Sequence, residues 1–164
     1  MKILVLSDSH SGMRLMRESI RKIRPDCIIH LGDYYEDGEI IAEENPNIRI
    51  YQVPGNCDRY RCPIGAREIL IMNIGGLKFY MTHGHRHNVK MTDVRLLADA
   101  LEAEADVVLY GHTHMADLRW ESGMWIMNPG SCGAMGGTCG LIEIADNAIQ
   151  DCRILGAGNL EEFV

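Results

Sequence analysis

Apolar and polar positions along the first third of the chain alternate between two patterns. Continuous apolar runs predict buried strands, and apolar residues that recur every three or four positions predict helices. The predicted elements are a strand at 2–7, a helix at 13–24, a strand at 27–31, a short helix at 39–44 and a strand at 48–53. The first three have the size and order of one β-α-β unit, so we expect parallel strands and a right-handed crossover.

The remainder of the chain follows a different order. A hairpin is predicted at 67–82 with its turn at Gly75-Gly76, and an amphipathic helix at 91–104 precedes a short buried strand at 106–110. The rest is predicted to be an antiparallel meander with strands at 117–121, 124–127, 140–145 and 148–155, followed by a frayed tail at 156–164. This pattern implies a second layer within one α/β domain that spans residues 1–164.

Composition fits a single domain and narrows the classes of function. The chain has 164 residues, of which 46% are hydrophobic and 24% charged, the balance of an ordinary globular protein. Its formal net charge of −7 disfavours broad binding to a nucleic-acid polymer, which is itself a polyanion. Since no apolar run approaches the ~20 residues of a membrane span and no secretory signal is visible, we expect a cytoplasmic location, free cysteines and no membrane partner.

Five apolar runs each end in a cluster of residues that commonly bind metal ions. The clusters are Asp8-Ser9-His10, Gly32-Asp33, Pro54-Gly55-Asn56-Cys57-Asp58, His83-Gly84-His85 and Gly111-His112-Thr113-His114. If most of these strands lie side by side, their carboxyl ends meet at one rim, where open α/β sheets place their sites. Each cluster alone has an ordinary alternative, namely a helix N-cap, a turn or exposed imidazoles. Their repetition at five strand ends favours one shared site.

The residue types narrow the choice of metal. Carboxylate and imidazole ligands without thiolate suit Mn, Fe, Co, Ni or Zn better than Ca. There are more candidate ligands than one ion can coordinate. They are Asp8, His10, Asp33, Asn56, His83, His112 and His114. We therefore expect two divalent ions, which one carboxylate can bridge at a separation of ~3.5–4 Å, with a shared water that ionises near neutral pH.

The motifs D-x-H, G-D, G-N-x-D, H-G-H and G-H-T-H, in this order, resemble the calcineurin-like metallophosphoesterase superfamily. The resemblance extends from Met1 to Ser131 and includes Asn128-Pro129-Gly130-Ser131. The short chain, and Cys57 where many members have His, are similar to the small single-domain phosphodiesterase subgroup related to the retromer scaffold subunit. The resemblance implies an α/β fold, a four-layer α-β-β-α sandwich of two mixed β-sheets flanked by helices.

The resemblance also implies roles for individual residues. It divides the ligands into two sets that share Asp33: Asp8, His10, Asp33 and His114 for one ion, and Asp33, Asn56, His83 and His112 for the other. The nucleophile would be a hydroxide that bridges the two ions, while Asn56 and His10 help to hold the phosphoryl oxygens. Manganese is the expected metal, with nickel, cobalt, iron or zinc as alternatives.

Three further residues near the ligands are candidates for catalysis. Cys57 occupies the place of a His that serves as an acid partner in many members, and a thiol with an ordinary pKa of ~8.5 is poorer in that role at pH 7. His85 or a metal-bound water is then the alternative proton donor. A further alternative for Cys57 is that it merely fits a tight loop. Asp58 is expected to orient a ligand imidazole or its own loop. His87 is expected to be an exposed imidazole, or else to face the substrate.

These observations predict a metal-dependent phosphoric ester hydrolase, in the first place a phosphodiesterase that acts on a small phosphodiester. The alternatives are a phosphomonoesterase and a non-catalytic scaffold or interaction module on the same fold. The presence of all seven ligands favours an enzyme over a scaffold. The loops at 34–39, 60–65 and 132–139 are expected to determine specificity, and the sequence is compatible with a homo-oligomer.

Overall fold

The computed structural model describes residues 1–156 and 158–160, and this part of the chain contains ten strands and three helices. Two 3₁₀ turns, Asn56–Asp58 and His85–His87, lie between them. In chain order the elements are β1 (Lys2–Leu6), α1 (Arg14–Ile23), β2 (Cys27–His30), α2 (Tyr35–Glu44), β3 (Arg49–Gln52), β4 (Ile69–Ile74), β5 (Leu77–Thr82), α3 (Val94–Glu102), β6 (Val107–Leu109), β7 (Asp117–Glu121), β8 (Met124–Asn128), β9 (Thr138–Ala145) and β10 (Ala148–Gly156).

The strands form two five-stranded sheets. The first sheet has the order β10-β9-β1-β2-β3, and the second has the order β4-β5-β6-β8-β7. In the first sheet β1, β2 and β3 are parallel while β9 and β10 are antiparallel to their neighbours, and in the second β5, β6 and β8 are parallel while β4 and β7 are antiparallel. Both sheets are therefore mixed, and the predicted β-α-β unit and hairpin are present.

Three apolar clusters hold the layers together. Between the sheets, Phe79 of β5 packs in one buried cluster with residues such as Ile3 of β1. Met16 of α1 and Ile41 of α2 pack on the outer face of the first sheet, and Leu96 of α3 packs on the outer face of the second. The layers follow the order helix, sheet, sheet, helix, which confirms the predicted four-layer α/β sandwich.

The prediction of one continuous antiparallel meander after residue 117 is wrong. The hairpin β7-β8 belongs to the second sheet, where β8 pairs in parallel with β6, whereas the hairpin β9-β10 belongs to the first sheet, where β9 pairs with β1. The segment 129–137 carries the chain from one sheet to the other. Alternating residues and turn residues specify each hairpin locally, but the strand on which a hairpin docks depends on contacts between residues far apart in sequence.

Several element boundaries also differ from the prediction, by up to four residues. Helix α2 begins at Tyr35 rather than at residue 39. The frayed tail is wrong for Gly156, which ends β10, and for Leu160, which is fully buried in the cluster that contains Met16. Residues 157 and 161–164 lie outside the described residues. None of the helices in the described part of the chain has the length and apolar composition that a bilayer crossing requires.

Phe79 provides a test of the core between the sheets, because its side chain is fully buried. We expect Phe79→Ala to lower the free energy of unfolding by ~3–5 kcal/mol, since it removes apolar contacts and leaves a cavity. Urea unfolding followed by circular dichroism measures this loss.

The matched control is Ile71→Ala on the edge strand β4, where the residue is 51% exposed. This variant should lose less than ~1 kcal/mol, because little apolar area leaves the interior. Equal losses in the two variants would contradict the position of Phe79 at the centre of the sandwich.

Candidate metal centre

Asp8 lies two residues after the end of β1, and its carboxylate is fully buried at the rim between the sheets. Its Oδ2 accepts hydrogen bonds from the hydroxyl of Ser7 at 2.5 Å and from the backbone N–H of His112 at 3.0 Å. Its Oδ1 has no hydrogen-bond partner among the described residues. Leaving a charged acceptor buried without a hydrogen bond costs ~1–3 kcal/mol or more, so this oxygen needs a partner beyond the hydrogen-bond donors of the described residues.

Asp8 belongs to a cluster of four side chains. One ligand atom from each of Asp8, His10, Asp33 and His114 lies within 4.8 Å of the others. Oδ1 of Asp8 is 3.1 Å from Nε2 of His114, and Nε2 of His10 is 3.3 Å from the same nitrogen. Nε2 of His10 also lies 3.8 Å from Oδ2 of Asp33. The structure thus brings together the first predicted ligand set, whose two nitrogens and two oxygens suit a divalent transition metal.

His83 connects this cluster to the second predicted ligand set. Its Nδ1 donates to the backbone carbonyl of Leu31 at 2.7 Å, and this hydrogen bond holds the ring with Nε2 directed into the centre. Nε2 lies 3.5 Å from Oδ1 of Asp33 and 3.2 Å from Oδ1 of Asn56. Asp33 therefore turns Oδ2 towards His10 and Oδ1 towards His83, which is the orientation that a bridging carboxylate needs.

The ionisation of Asp33 and His112 also suits metal binding. Burial opposes ionisation of Asp33, but the neighbouring His83 and the backbone N–H of Cys57 lower the pKa of Asp33 below its ordinary value. The ring of His112, a member of the second predicted ligand set, lies next to that of His83, and the two ring centroids are 5.0 Å apart. Burial and the same His83 lower the pKa of His112 to about 4, so its imidazole is neutral at pH 7 and available as a ligand.

Cys57 lies beside the centre, but its backbone contacts Asp33 more directly than its sulfur does. Its N–H donates to Oδ1 of Asp33 at 2.9 Å, while Nδ2 of Asn56 donates to its Sγ at 3.4 Å. Desolvation and the Asp33 carboxylate raise the pKa of the Cys57 thiol to about 11, so the thiol is neutral at pH 7. These contacts agree with a residue that fits a tight loop, and an acid role for the thiol stays a prediction.

His85 lies on the second ligand set's side of the centre. Its ring centroid is 5.4 Å from that of His83 and 6.1 Å from that of His112. Its Nδ1 is buried without a hydrogen-bond partner in the described structure, and burial lowers the pKa of His85. His85 also lines a groove of about 620 Å³ together with Asn56, so it lies beside the space that adjoins the centre. Its role as proton donor stays a prediction.

Asp58 holds the loops around the centre rather than facing it. Its fully buried carboxylate accepts four backbone N–H groups, from Asp33 at 3.0 Å, Tyr34 at 2.8 Å, Tyr35 at 2.9 Å and Gly55 at 2.7 Å. Of the two predicted roles, the orientation of a ligand imidazole and the orientation of its loop, these contacts favour the second. Asp58 thereby fixes the backbone from Asp33 to Tyr35 and ties this loop to Gly55.

Two supporting residues were not predicted. Asp37 of α2 is buried and accepts hydrogen bonds from the hydroxyl of Ser9 at 2.7 Å and the N–H of Ser11 at 2.9 Å, which fixes the loop after β1. Asn128 donates to the carbonyl oxygen of Gly111 at 2.9 Å and so supports the loop after β6. Because the predicted helix begins at residue 39, Asp37 was placed in the loop before it, where no motif marked it as a partner of the loop after β1. Asn128 could have been inferred from the N-P-G-S motif.

The two remaining histidines lie outside the centre. His30 is buried in β2, 3.4 Å from the hydroxyl of Ser9, and burial lowers the pKa of His30 to about 4. The prediction that His87 is exposed is wrong, because the segment after β5 folds back against α3. Nε2 of His87 lies 3.1 Å from the hydroxyl of Tyr80 and 3.2 Å from the carboxylate of Asp99, and the ring is buried.

Five of the seven predicted ligands have left-handed backbone conformations. Their φ angles are 54° at Asp8, 44° at His10, 56° at Asp33, 68° at His112 and 61° at His114. Such conformations cost ~1–3 kcal/mol each and persist where the surrounding structure imposes them, often at functional sites. The strained backbone thus lies at the residues whose side chains converge. This agrees with a site in which the directions of these side chains are fixed before anything binds.

Comparison with known proteins identifies the family. The sequence matches the family described as the calcineurin-like phosphoesterase superfamily domain over residues 1–147. It is 33% identical over 135 residues to the probable metallophosphoesterase YsnB of Bacillus subtilis (strain 168), a match that covers 80% of this chain and 75% of that protein. It is 30% identical over 146 residues to the phosphodiesterase MJ0936 of Methanocaldococcus jannaschii, covering 80% and 84% respectively.

Solved structures share the architecture. A conserved uncharacterized protein from Streptococcus pneumoniae TIGR4 has a TM-score of 0.76 at 28% identity, covering 96% of this chain and 90% of that one. A single mutant of Vps29 from Entamoeba histolytica has a TM-score of 0.69 at 20% identity, covering 95% and 99%, and this likeness shows the fold alone. The predicted resemblance is confirmed, and this chain belongs to the calcineurin-like phosphoesterase superfamily.

Proposed function

We propose that this protein is a metal-dependent phosphodiesterase whose centre holds two divalent ions, in the first place manganese. One observation carries the proposal: the buried Oδ1 of Asp8 accepts no hydrogen bond from the described residues and faces the imidazole of His114 at 3.1 Å, inside a cluster completed by His10 and Asp33. Membership of a phosphoesterase family supports a hydrolase of this kind.

Two ions bound at these side chains would supply Lewis acidity and an activated water for attack on phosphorus. The protein's part is to fix the ligands in place. The carbonyl of Leu31 selects the tautomer of His83 that directs Nε2 inward, and Asp58 anchors the backbone of Asp33. Because these groups are held before substrate arrives, little reorganisation is needed when charge develops on the phosphoryl oxygens.

The charge balance of the centre favours an anionic substrate. Asp8 and Asp33 contribute two carboxylates, and burial keeps the His112 imidazole neutral. Two divalent ions would exceed these two negative charges, so the loaded centre would attract a phosphoryl group. His10 and Asn56 lie at opposite ends of the cluster, where their side chains could steady phosphoryl oxygens.

A diester, rather than a monoester, is favoured by the space beside the centre. A diester has a second arm, and the groove of about 620 Å³ lined by Asn56 and His85 provides room for one. The relative MJ0936 is named a phosphodiesterase. The scaffold alternative has less support, because the cluster around Asp8 retains a complete set of four ligands.

Hydrolysis of chromogenic esters tests the proposal. Chelator-stripped protein should be inactive, and added manganese should restore cleavage of bis(p-nitrophenyl) phosphate faster than that of p-nitrophenyl phosphate. Asp8→Asn should lower the restored rate at least ~100-fold if the carboxylate holds an ion, whereas Glu102→Gln, an exposed acid on α3, should leave it unchanged.

The substrate and metal series separate the alternatives. Faster cleavage of the monoester would indicate a phosphomonoesterase. No cleavage of either ester with manganese, nickel, cobalt or zinc would contradict the enzyme and favour the scaffold.

Gly111 offers a second test, because it packs directly against Asp8. A Cβ atom at this position would lie 2.0 Å from Oγ of Ser7 and 2.8 Å from Oδ2 of Asp8. Gly111→Ala should therefore displace the Asp8 carboxylate and weaken manganese binding by ~10–100-fold, which titration against a fluorescent chelator measures.

Gly156→Ala is the matched control for this measurement, since among the described residues, its chain neighbours aside, no atom lies closer than 3.9 Å to its added Cβ. It should bind manganese as the original chain does. A Gly111→Ala protein that keeps its circular dichroism spectrum and its full manganese affinity would show that Asp8 is not a ligand.

A further inference from the structure

The groove beside the centre has the size of a small-molecule site. Its volume is about 620 Å³, within the ~300–1,000 Å³ typical of ligand pockets. Asn56 and His85, which lie at the candidate centre, are among its lining residues, so the groove and the centre are continuous. The segment 62–66 forms much of the remaining lining and overlaps the loop predicted to determine specificity.

The charged residues of this groove leave one positive charge uncompensated. The guanidinium of Arg86 pairs with the carboxylate of Glu68 at 2.6 and 2.8 Å. Asp58 directs its carboxylate to four backbone N–H groups. Arg59 is exposed, and the contact described for its guanidinium is the ring of Tyr60, 5.5 Å away, with no carboxylate partner among the described residues. In a chain of net charge −7, this groove therefore offers a free cation next to the centre.

The groove also offers apolar surface that is uncovered in the free protein. Pro63, Ile64 and Ala66 line it, and the side chain of Ile64 is fully exposed. Apolar area of this kind is stabilised when a ligand covers it, at ~25 cal/mol for each Å² removed from water. The carbon skeleton of a substrate arm would supply such cover, while an anionic group on the arm would meet Arg59.

We propose that this groove binds one ester arm of the substrate and that the arm carries a phosphate of its own, which pairs with Arg59. The inference rests on the proposed function, and it specifies the substrate class as a phosphodiester in which one esterified alcohol is itself phosphorylated. A guanidinium binds phosphate through two parallel hydrogen bonds, and a phosphate monoester carries ~1.5–2 negative charges at pH 7. Arg59 is then a specificity-determining residue that acts on the distant phosphate and not on the bond that breaks.

A matched pair of chromogenic diesters tests this assignment: p-nitrophenyl thymidine 5′-phosphate and its 3′-phosphorylated form. They share one leaving group and differ by one phosphate. With manganese at about 0.15 M salt, which screens long-range attraction, the original protein should favour the phosphorylated ester in kcat/KM by about tenfold or more. Arg59→Gln should bring the ratio of the two kcat/KM values close to one.

Arg14→Gln is the control, because Arg14 is an exposed arginine at the start of α1 that does not line the groove. It should keep the original ratio. Equal cleavage of both esters by the original protein, or an equal fall of the ratio in both variants, would overturn the inference and indicate general charge attraction at most.

Cleavage of bis(p-nitrophenyl) phosphate in the same assays distinguishes failure of the groove assignment from failure of the proposed function. If that ester is cleaved while the thymidine esters are not, or are not distinguished, the groove assignment fails and the proposed function stands. If that ester is not cleaved with any of the four metals, the proposed function fails, and this inference fails with it.

Discussion

Buried negative charge is the constraint on which the rim of this sandwich depends. The carboxylates of Asp8, Asp33, Asp37 and Asp58 are all buried there. A charge removed from water is tolerated only when hydrogen bonds or counter-charges replace the lost hydration. Asp58 receives four backbone N–H groups, and Asp37 receives a hydroxyl and an N–H, so these two are satisfied by the protein. Asp8 and Asp33 each accept hydrogen bonds at one carboxylate oxygen. The other oxygen of each faces the cluster of imidazoles.

Backbone strain and hydrogen-bonded carboxylates explain how the predicted ligands are held in place. Five of the seven predicted ligand residues have left-handed conformations, and side chains from several loops turn towards one point. The surrounding layers compensate for this cost, because three apolar clusters fix the strands from which the loops begin. Asp58 and Asp37 then fix the loop backbones. The stability of the sandwich and the direction of the ligands are thus parts of one arrangement.

The convergence of the ligands was predictable because each cluster directly follows an apolar strand, and strand ends of a sandwich meet at a rim. The hairpin turn at Gly75-Gly76 and helix α1, with its amphipathic spacing, were also predictable from the sequence. The docking of β9-β10 on the first sheet was not, since it depends on pairing with β1 at the far end of the chain. Asp37 and the burial of His87 escaped prediction for a similar reason, because their partners lie on other elements.

The central claim is that Asp33 joins two ions in one centre, since its two oxygens face His10 and His83 on opposite sides. Anomalous diffraction from crystals grown with manganese tests it most directly. The account predicts two anomalous peaks separated by ~3.5–4 Å with the Asp33 carboxylate between them. A single peak, or two peaks of which neither contacts Asp33, would contradict it.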